Sequence, residues 1–431
     1  TCSVVGNNDA DGDIIIPSSI VYESKEYKII YILKDAFKQS YIKSIQFTPD
    51  SEIQIIDEHA FDSSFIENIK LPPHLTKICC YAFNNCKYLE MVEFPPDSEL
   101  QIIGEHAFDS SFFEDIKFQP HLTKIGCYAF YKCKNLKTVE FPSGSELQTI
   151  EERAFSESSI ESFTFPSHLT RICESAFENC GNLKTVKFPP DSELQIIEKG
   201  AFANSMIESF IFPPHFKQIC EGAFDGCSNL KIIEIPSDLE LELKGRWRPD
   251  ISNISIINVG SNNPCLINYN DQIVLKKSSI DAENFDELVY CSRKAKKVII
   301  PSFVKIIDIY AFYGCELETV EFEPESELQI IGQCAFCRSS IKSFKTPIKV
   351  KQIENGAFKD CENLKQFEIP QDSELLSIGE EAFGNSPIES LTIPSNYVEF
   401  KEKWGINCNI SKIMISPKNP LYSMVDDQLI V

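Results

Sequence analysis

The chain has 431 residues, 64 of them acidic and 41 basic, for a formal charge of −23. That balance argues against nonspecific nucleic-acid binding, which needs clustered Lys and Arg to neutralise phosphates, and it disfavours contact with anionic lipid. No apolar run approaches the ~18 residues of a membrane span; the strongest, Ile29 to Leu33, is far shorter.

The main signal along the chain is a beat. Ala-Phe occurs thirteen times, at Ala36, Ala60, Ala82, Ala107, Ala129, Ala154, Ala176, Ala201, Ala223, Ala311, Ala335, Ala357 and Ala382, and most steps alternate between 22 and 25 residues. A fixed period of this size marks a solenoid, in which each coil cannot bury its apolar face alone and must stack on its neighbours.

Residues 1–35 are expected to form an N-terminal cap hairpin. They include NNDADGDI from Asn7, which begins like a calcium-binding EF-hand loop, but Ser18 stands where a bidentate Glu is required and Pro17 forbids the exiting helix. A first array follows over residues 36–236. Its unit is visible in AFDSSFIENIKLPPHLTKICCY and AFNNCKYLEMVEFPPDSELQIIGEH, together 47 residues. In each, apolar residues at positions 1, 4 and 6 (Ile66, Ile69, Leu71; Leu89, Val92, Phe94) describe a leucine-rich-repeat strand, and the next proline ends it because it lacks an N–H. The fold class expected is therefore an α/β repeat solenoid. In detail this is a leucine-rich-repeat right-handed superhelix with a parallel concave β-sheet, one strand per coil, and short helical or irregular convex segments carrying Ala-Phe. The stacked Phe side chains form a spine, each worth roughly 3–5 kcal/mol against Ala.

The outward strand positions read Glu67, Glu90, Glu114, Lys137, Glu161, Lys184, Glu208 and Lys231 from coil to coil, and these are the candidate binding residues of the concave face. A second outward column contains Lys70, Glu93, Lys117 and Glu140. Alternating charge has a sufficient internal cause, since opposite charges across neighbouring strands attract by ~0.2–1 kcal/mol. The same face is the default protein-binding surface of a solenoid.

Other tempting chemistry rides on the repeat. Cys86, Cys133, Cys180 and Cys227 are spaced by 47 residues, with Cys315 and Cys361 in the same slot, and they read as buried thiols or as disulfides within a coil such as Cys173 with Cys180. The CxxC of Cys334 and Cys337 has no second pair at zinc-like spacing, so no metal site is expected. His74, His121, His168 and His215 recur as turn residues, and the SEL turns make an acidic rim. No nucleotide-binding, hydrolase or metalloprotease motif is present, and neither an enzyme nor a cofactor is expected.

From Ala223 to Ala311 the beat is silent for 88 residues. Residues 237–300, with Trp247, are read as an irregular island within the solenoid, and residues 301–400 as a second array. Residues 401–431, with Trp404, begin a second copy of the island: Pro264 aligns with Pro420 and Gln272 with Gln428. The chain stops inside that copy, so a following segment is expected. Sequons at Asn253 and Asn409 fall at corresponding places and are candidate glycosylation sites.

AFNNCKYLEMVEFP, AFYKCKNLKTVEFP and AFENCGNLKTVKFP resemble the BspA-like leucine-rich repeats, the class that includes treponeme-type repeats and trichomonad surface antigens. Residues 14 to 37 resemble the hairpin cap of such domains. The resemblance implies a cell-surface or secreted, non-enzymatic interaction module, adhesin-like, binding host-cell or matrix proteins through the concave face or the islands. The other expectation is an intracellular or structural repeat scaffold for protein–protein interaction.

Overall fold

The computed structural model describes residues 1–6, 9–239, 254–279, 282–396, 398–420, 422–425 and 428–430. Trp247 and Asn253 lie outside the described residues. The chain divides into two compact units, one formed by Thr1–Leu230 with Leu239–Asp250 and the other by Lys231–Asp238 with Ile251–Val431.

The first unit opens with Cys2–Val4, which lies parallel to Lys25–Ile32, and Ser19–Tyr22 runs antiparallel to the same Lys25–Ile32 strand. From Lys25–Ile32 the parallel sheet continues through two-residue strands, Ile55–Ile56, Lys77–Ile78, Ile102–Ile103, Lys124–Ile125 and onward to Gln218–Ile219. Their register places Ile56, Ile78, Ile103, Ile125, Ile150, Ile172, Ile197 and Ile219 over one another, all buried. β-branched side chains suit this pleated, close-packed stack. Each coil therefore contributes two strands where one was expected. The other is the three-residue strand of the leucine-rich pattern, as in Asn68–Lys70, Met91–Glu93 and Asp115–Lys117, whose central Ile69, Val92 and Ile116 point inward.

The expected helical convex segments are absent: no described residue is helical. Ala-Phe sits in a double turn with a left-handed residue on either side, such as His59 (φ 55°) and Ser63 (φ 58°), or Tyr81 (φ 58°) and Asn85 (φ 56°). An α-helix cannot pass through these conformations. The amides it would need are also used elsewhere. Phe61 N–H donates to Ala82 C=O of the next coil at 2.7 Å, and Phe83 N–H to Ala107 C=O at 2.7 Å. The turns thus stack as a third hydrogen-bonded ladder. Ala is buried at every beat, and the Phe rings stack parallel, Phe61 on Phe83 at 4.8 Å and Phe130 on Phe155 at 5.0 Å.

The second unit repeats this plan behind an antiparallel meander of Leu266–Tyr269, Ile273–Lys276 and Glu287–Cys291. Glu287–Cys291 then founds a parallel sheet continuing through Ile306–Ile307 and Ile330–Ile331. The beat survives where its residues do not. Cys291 N–H donates to Ala311 C=O at 3.0 Å, so Tyr290-Cys291 holds the Ala-Phe slot, and Phe383 N–H donates to Trp404 C=O at 2.9 Å, so Trp404 holds an Ala slot.

Candidate interaction surface

In every coil the segment from the inward position before Glu67 to the proline is held extended by its neighbours, so outward residues form straight columns. Glu90 N–H bonds Glu67 C=O at 2.7 Å and Lys137 N–H bonds Glu114 C=O at 2.8 Å. Of the residues singled out from sequence, Glu67 is half-buried, while Glu90, Glu114, Lys137, Glu161, Lys184, Glu208 and Lys231 are exposed. Lys231 belongs to the second unit and the others to the first. Lys137 pairs with Glu114 at 2.9 Å, and in the second outward column Lys70 pairs with Glu93 at 2.9 Å and Lys117 with Glu140 at 3.4 Å. Much of the alternating charge is thus satisfied within the sheet, and such exposed pairs contribute little to stability.

The first coils break the alternation. Glu67, Glu90 and Glu114 succeed one another, and the carboxylates of Glu67 and Glu90 have no ion pair among the described residues. Two positions earlier in each strand stand Phe65, Tyr88 and Phe112. With Tyr41 they form an exposed aromatic column, 59%, 39%, 52% and 47% accessible from Tyr41 to Phe112. Tyr41 stacks on Phe65 and Phe65 on Tyr88, both at 5.0 Å. Met91 is exposed beside them. The same position in later coils holds Asn135, Ser159 and Asn182, so the stripe is confined to the start of the array. None of Tyr41, Phe65 and Tyr88 was singled out from sequence. The usable signal was an aromatic residue directly preceding the first inward residue in successive coils.

The cysteine column has a structural role in hydrogen bonding. All 17 cysteines are free thiols. Cys86 donates to Phe61 C=O at 3.1 Å, Cys133 to Phe108 C=O at 3.1 Å and Cys180 to Phe155 C=O at 3.2 Å. In intervening coils a buried serine does the same, Ser111 to Phe83 C=O at 2.7 Å and Ser386 to Phe358 C=O at 2.6 Å. Burial pushes Cys86 and Cys180 up to about 12, and they are unreactive.

Among the histidines, His74, His121 and His168 face Glu99, Glu146 and Glu193 of the next coil at 3.1, 3.4 and 3.2 Å. His59 and His106 alternate with Tyr81 and Tyr128 in a ring stack spaced 4.6–4.9 Å. Residues Asp11–Ile16 of the calcium-loop-like stretch are extended and pair with Tyr41–Phe47; its Asn7 and Asn8 lie outside the described residues. No group of three metal-ligating side chains occurs among the described residues. Asn409 is exposed.

A family model described as the BspA type leucine-rich repeat region, in six copies, matches residues 18–119, 101–231 and 280–414. No curated protein matches the chain by sequence. Among solved structures, a leucine-rich repeat protein from Bacteroides ovatus is 22% identical over 93% of this chain and 91% of its own, with a TM-score of 0.60, and shares the fold. A leucine rich cell surface protein from Faecalibacterium prausnitzii is 19% identical over 95% of this chain and 88% of its own, at 0.46. The pneumococcal vaccine antigen PcpA is 18% identical over 99% of this chain and 85% of its own, at 0.45.

Proposed function

The chain belongs to the BspA-type leucine-rich-repeat family, and from that premise we propose that it is a surface-displayed, adhesin-like module that binds a host-cell or matrix protein through the aromatic and acidic stripe of the first array. Proteins built of such repeats are typically non-enzymatic binding scaffolds, and no enzymatic family is indicated.

The observation that carries this reading is the column Tyr41, Phe65, Tyr88 and Phe112 beside Glu67, Glu90 and Glu114. Contiguous exposed apolar surface rimmed by charge marks interaction sites, and aromatic anchors dominate binding energy where they are found. Three successive acids work against the sheet itself, since like charges on adjacent strands repel. A basic segment of the partner would relieve that repulsion while its apolar side chains cover the rings. Within the first unit, the column from Lys137 through Glu161 and Lys184 to Glu208 is a polar continuation of the same face. Surface location is supported by family membership and by the exposed sequon asparagine Asn409, with Asn253 the second candidate acceptor.

The test is binding of the full chain to immobilised matrix proteins and host cells. Tyr88→Ser combined with Glu90→Lys is expected to weaken binding at least thirtyfold, equivalent to about 2 kcal/mol at a hot spot. Glu161→Lys and Glu208→Lys are expected to do much less. Unchanged binding by the stripe variant, with the fold intact by circular dichroism, would overturn the assignment.

A further inference from the structure

One pair of cysteines does not follow the column. Cys334 and Cys337 bracket Ala335-Phe336, occupying the two slots that flank the beat in every coil. In other coils the side chains in these slots touch across the turn: Asp35 with Lys38 at 3.4 Å, His59 with Asp62 at 3.0 Å, His106 with Asp109 at 2.7 Å, and the rings of Tyr310 and Tyr313 edge to face at 5.5 Å. The backbone that causes this is the same at Cys334, which is left-handed (φ 52°) and accepts the Cys337 N–H at 3.1 Å. Residues one and four of such a turn lie within ~7 Å at Cα, inside the range a disulfide spans.

We propose that Cys334 and Cys337 form a reversible dithiol–disulfide couple that exchanges with the disulfides of low-molecular-weight thiols. Each thiol shifts the ionisation of the other across the turn. Cys334 is half-buried and Cys337 buried, which divides the roles into an attacking and a resolving sulfur. The hydrogen bond from Cys337, opposed by burial and aided by Tyr310 and the charge of Lys359, lowers Cys334 to about 7, while Cys337 is raised far above its ordinary range. An attacking thiol near ambient pH beside a resolving cysteine suits exchange. The next coil places Gly356 at this slot, as other coils place Gly200 and Gly222, where others carry His59, Tyr81 or Arg153; a Cβ at Gly356 would lie 3.0 Å from the Cys334 sulfur. Among the other half-buried cysteines, Cys79, Cys127, Cys173 and Cys408 are pushed up to about 11 or 12, chiefly by burial, and none of these four has a cysteine three residues away.

The Cys334 thiolate attacks one sulfur of the small disulfide, forming a mixed disulfide and expelling the first small thiolate. That thiolate takes the Cys337 proton. Cys337 sulfur then attacks Cys334 sulfur, expelling the second small thiolate, which is protonated from solvent. The protein dithiol loses two electrons and two protons, and one small disulfide becomes two small thiols.

The test equilibrates the full native chain in glutathione redox buffers, followed by acid quenching, alkylation after unfolding, and peptide mass spectrometry. The peptide holding Cys334 and Cys337 is expected to lose two hydrogens as the buffer becomes oxidising, while the peptides of Cys86, Cys180 and Cys361 stay alkylatable. Cys337→Ser should accumulate a glutathione adduct on Cys334 about tenfold above the adduct on Cys337 in Cys334→Ser. Both thiols remaining reduced in fully oxidising buffer, or equal adducts in the two folded variants, would overturn the proposal. If either variant misfolds, the wild-type titration alone decides.

Discussion

The buried cysteine slot of the regular coils and the same slot at the start of the second unit differ in their neighbours. In the regular coils Cys86, Cys180 and Cys361 donate to a phenylalanine carbonyl and sit near about 12 because burial disfavours the thiolate. Cys315 occupies the same position, but Cys291 replaces the phenylalanine and Arg293 enters the column one coil earlier. The Arg293 guanidinium donates to Cys315 sulfur at 3.0 Å and lies 5.2 Å from the Tyr290 ring, the whole group being buried. Burial still opposes ionisation, yet the hydrogen bond from Cys291 and the charge and hydrogen bond of Arg293 outweigh it and lower Cys315 to about 7. A repeat slot therefore determines geometry, and the residue in the adjacent coil determines chemistry.

The comparison can be broken hardest at what the units share. Phe155→Ala removes a fully buried ring stacked between Phe130 and Phe177 at 5.0 and 5.3 Å, and should cost about 3–5 kcal/mol in urea unfolding. Arg293→Met addresses what they do not share. Cys315, with a folded value below the ordinary 9.0, contributes stability that is present above that value and lost as pH falls through about 7. Cys86 and Cys180, raised to about 12, contribute stability that is whole below 9.0 and lost as pH rises towards 12. Urea midpoints measured against pH should show both losses in the native chain. In Arg293→Met the loss near neutrality should disappear and the alkaline one remain.

Smaller effects sharpen the picture of the column. Cys86→Ser keeps the donor to Phe61 C=O, as Ser111 does for Phe83, and should change stability little; Cys86→Val loses it and should cost about 1 kcal/mol by the same unfolding assay. Lys137→Glu replaces the pair with Glu114 by a run of acids and should cost only about 0.2–1 kcal/mol, diminishing in high salt.

Much of the architecture was legible. The leucine-rich spacing identified Ile69 and Val92 as inward, and the Ala-Phe beat identified the spine. The Ala-Phe turns were not, because nothing in the composition of His59 or Tyr81 announces a left-handed residue, and because their amides are used between coils rather than within a segment. The silence after Ala223 was read from residue identity, whereas the structure continues the slot through the backbone of Tyr290-Cys291. On the candidate surface, the acids were visible as a column, but the aromatic stripe beside them emerged only when Tyr41, Phe65 and Tyr88 were found stacked.

By itself the sequence determined the period, the buried face and the membership of each column, since these follow from apolar spacing along one chain. Tertiary structure decided what each column does. Neighbours on the solenoid are about one coil apart in sequence, so whether Cys315 meets a serine or Arg293, and whether Phe65 stands alone or in a stack, depends on contacts that only the stacking of coils creates.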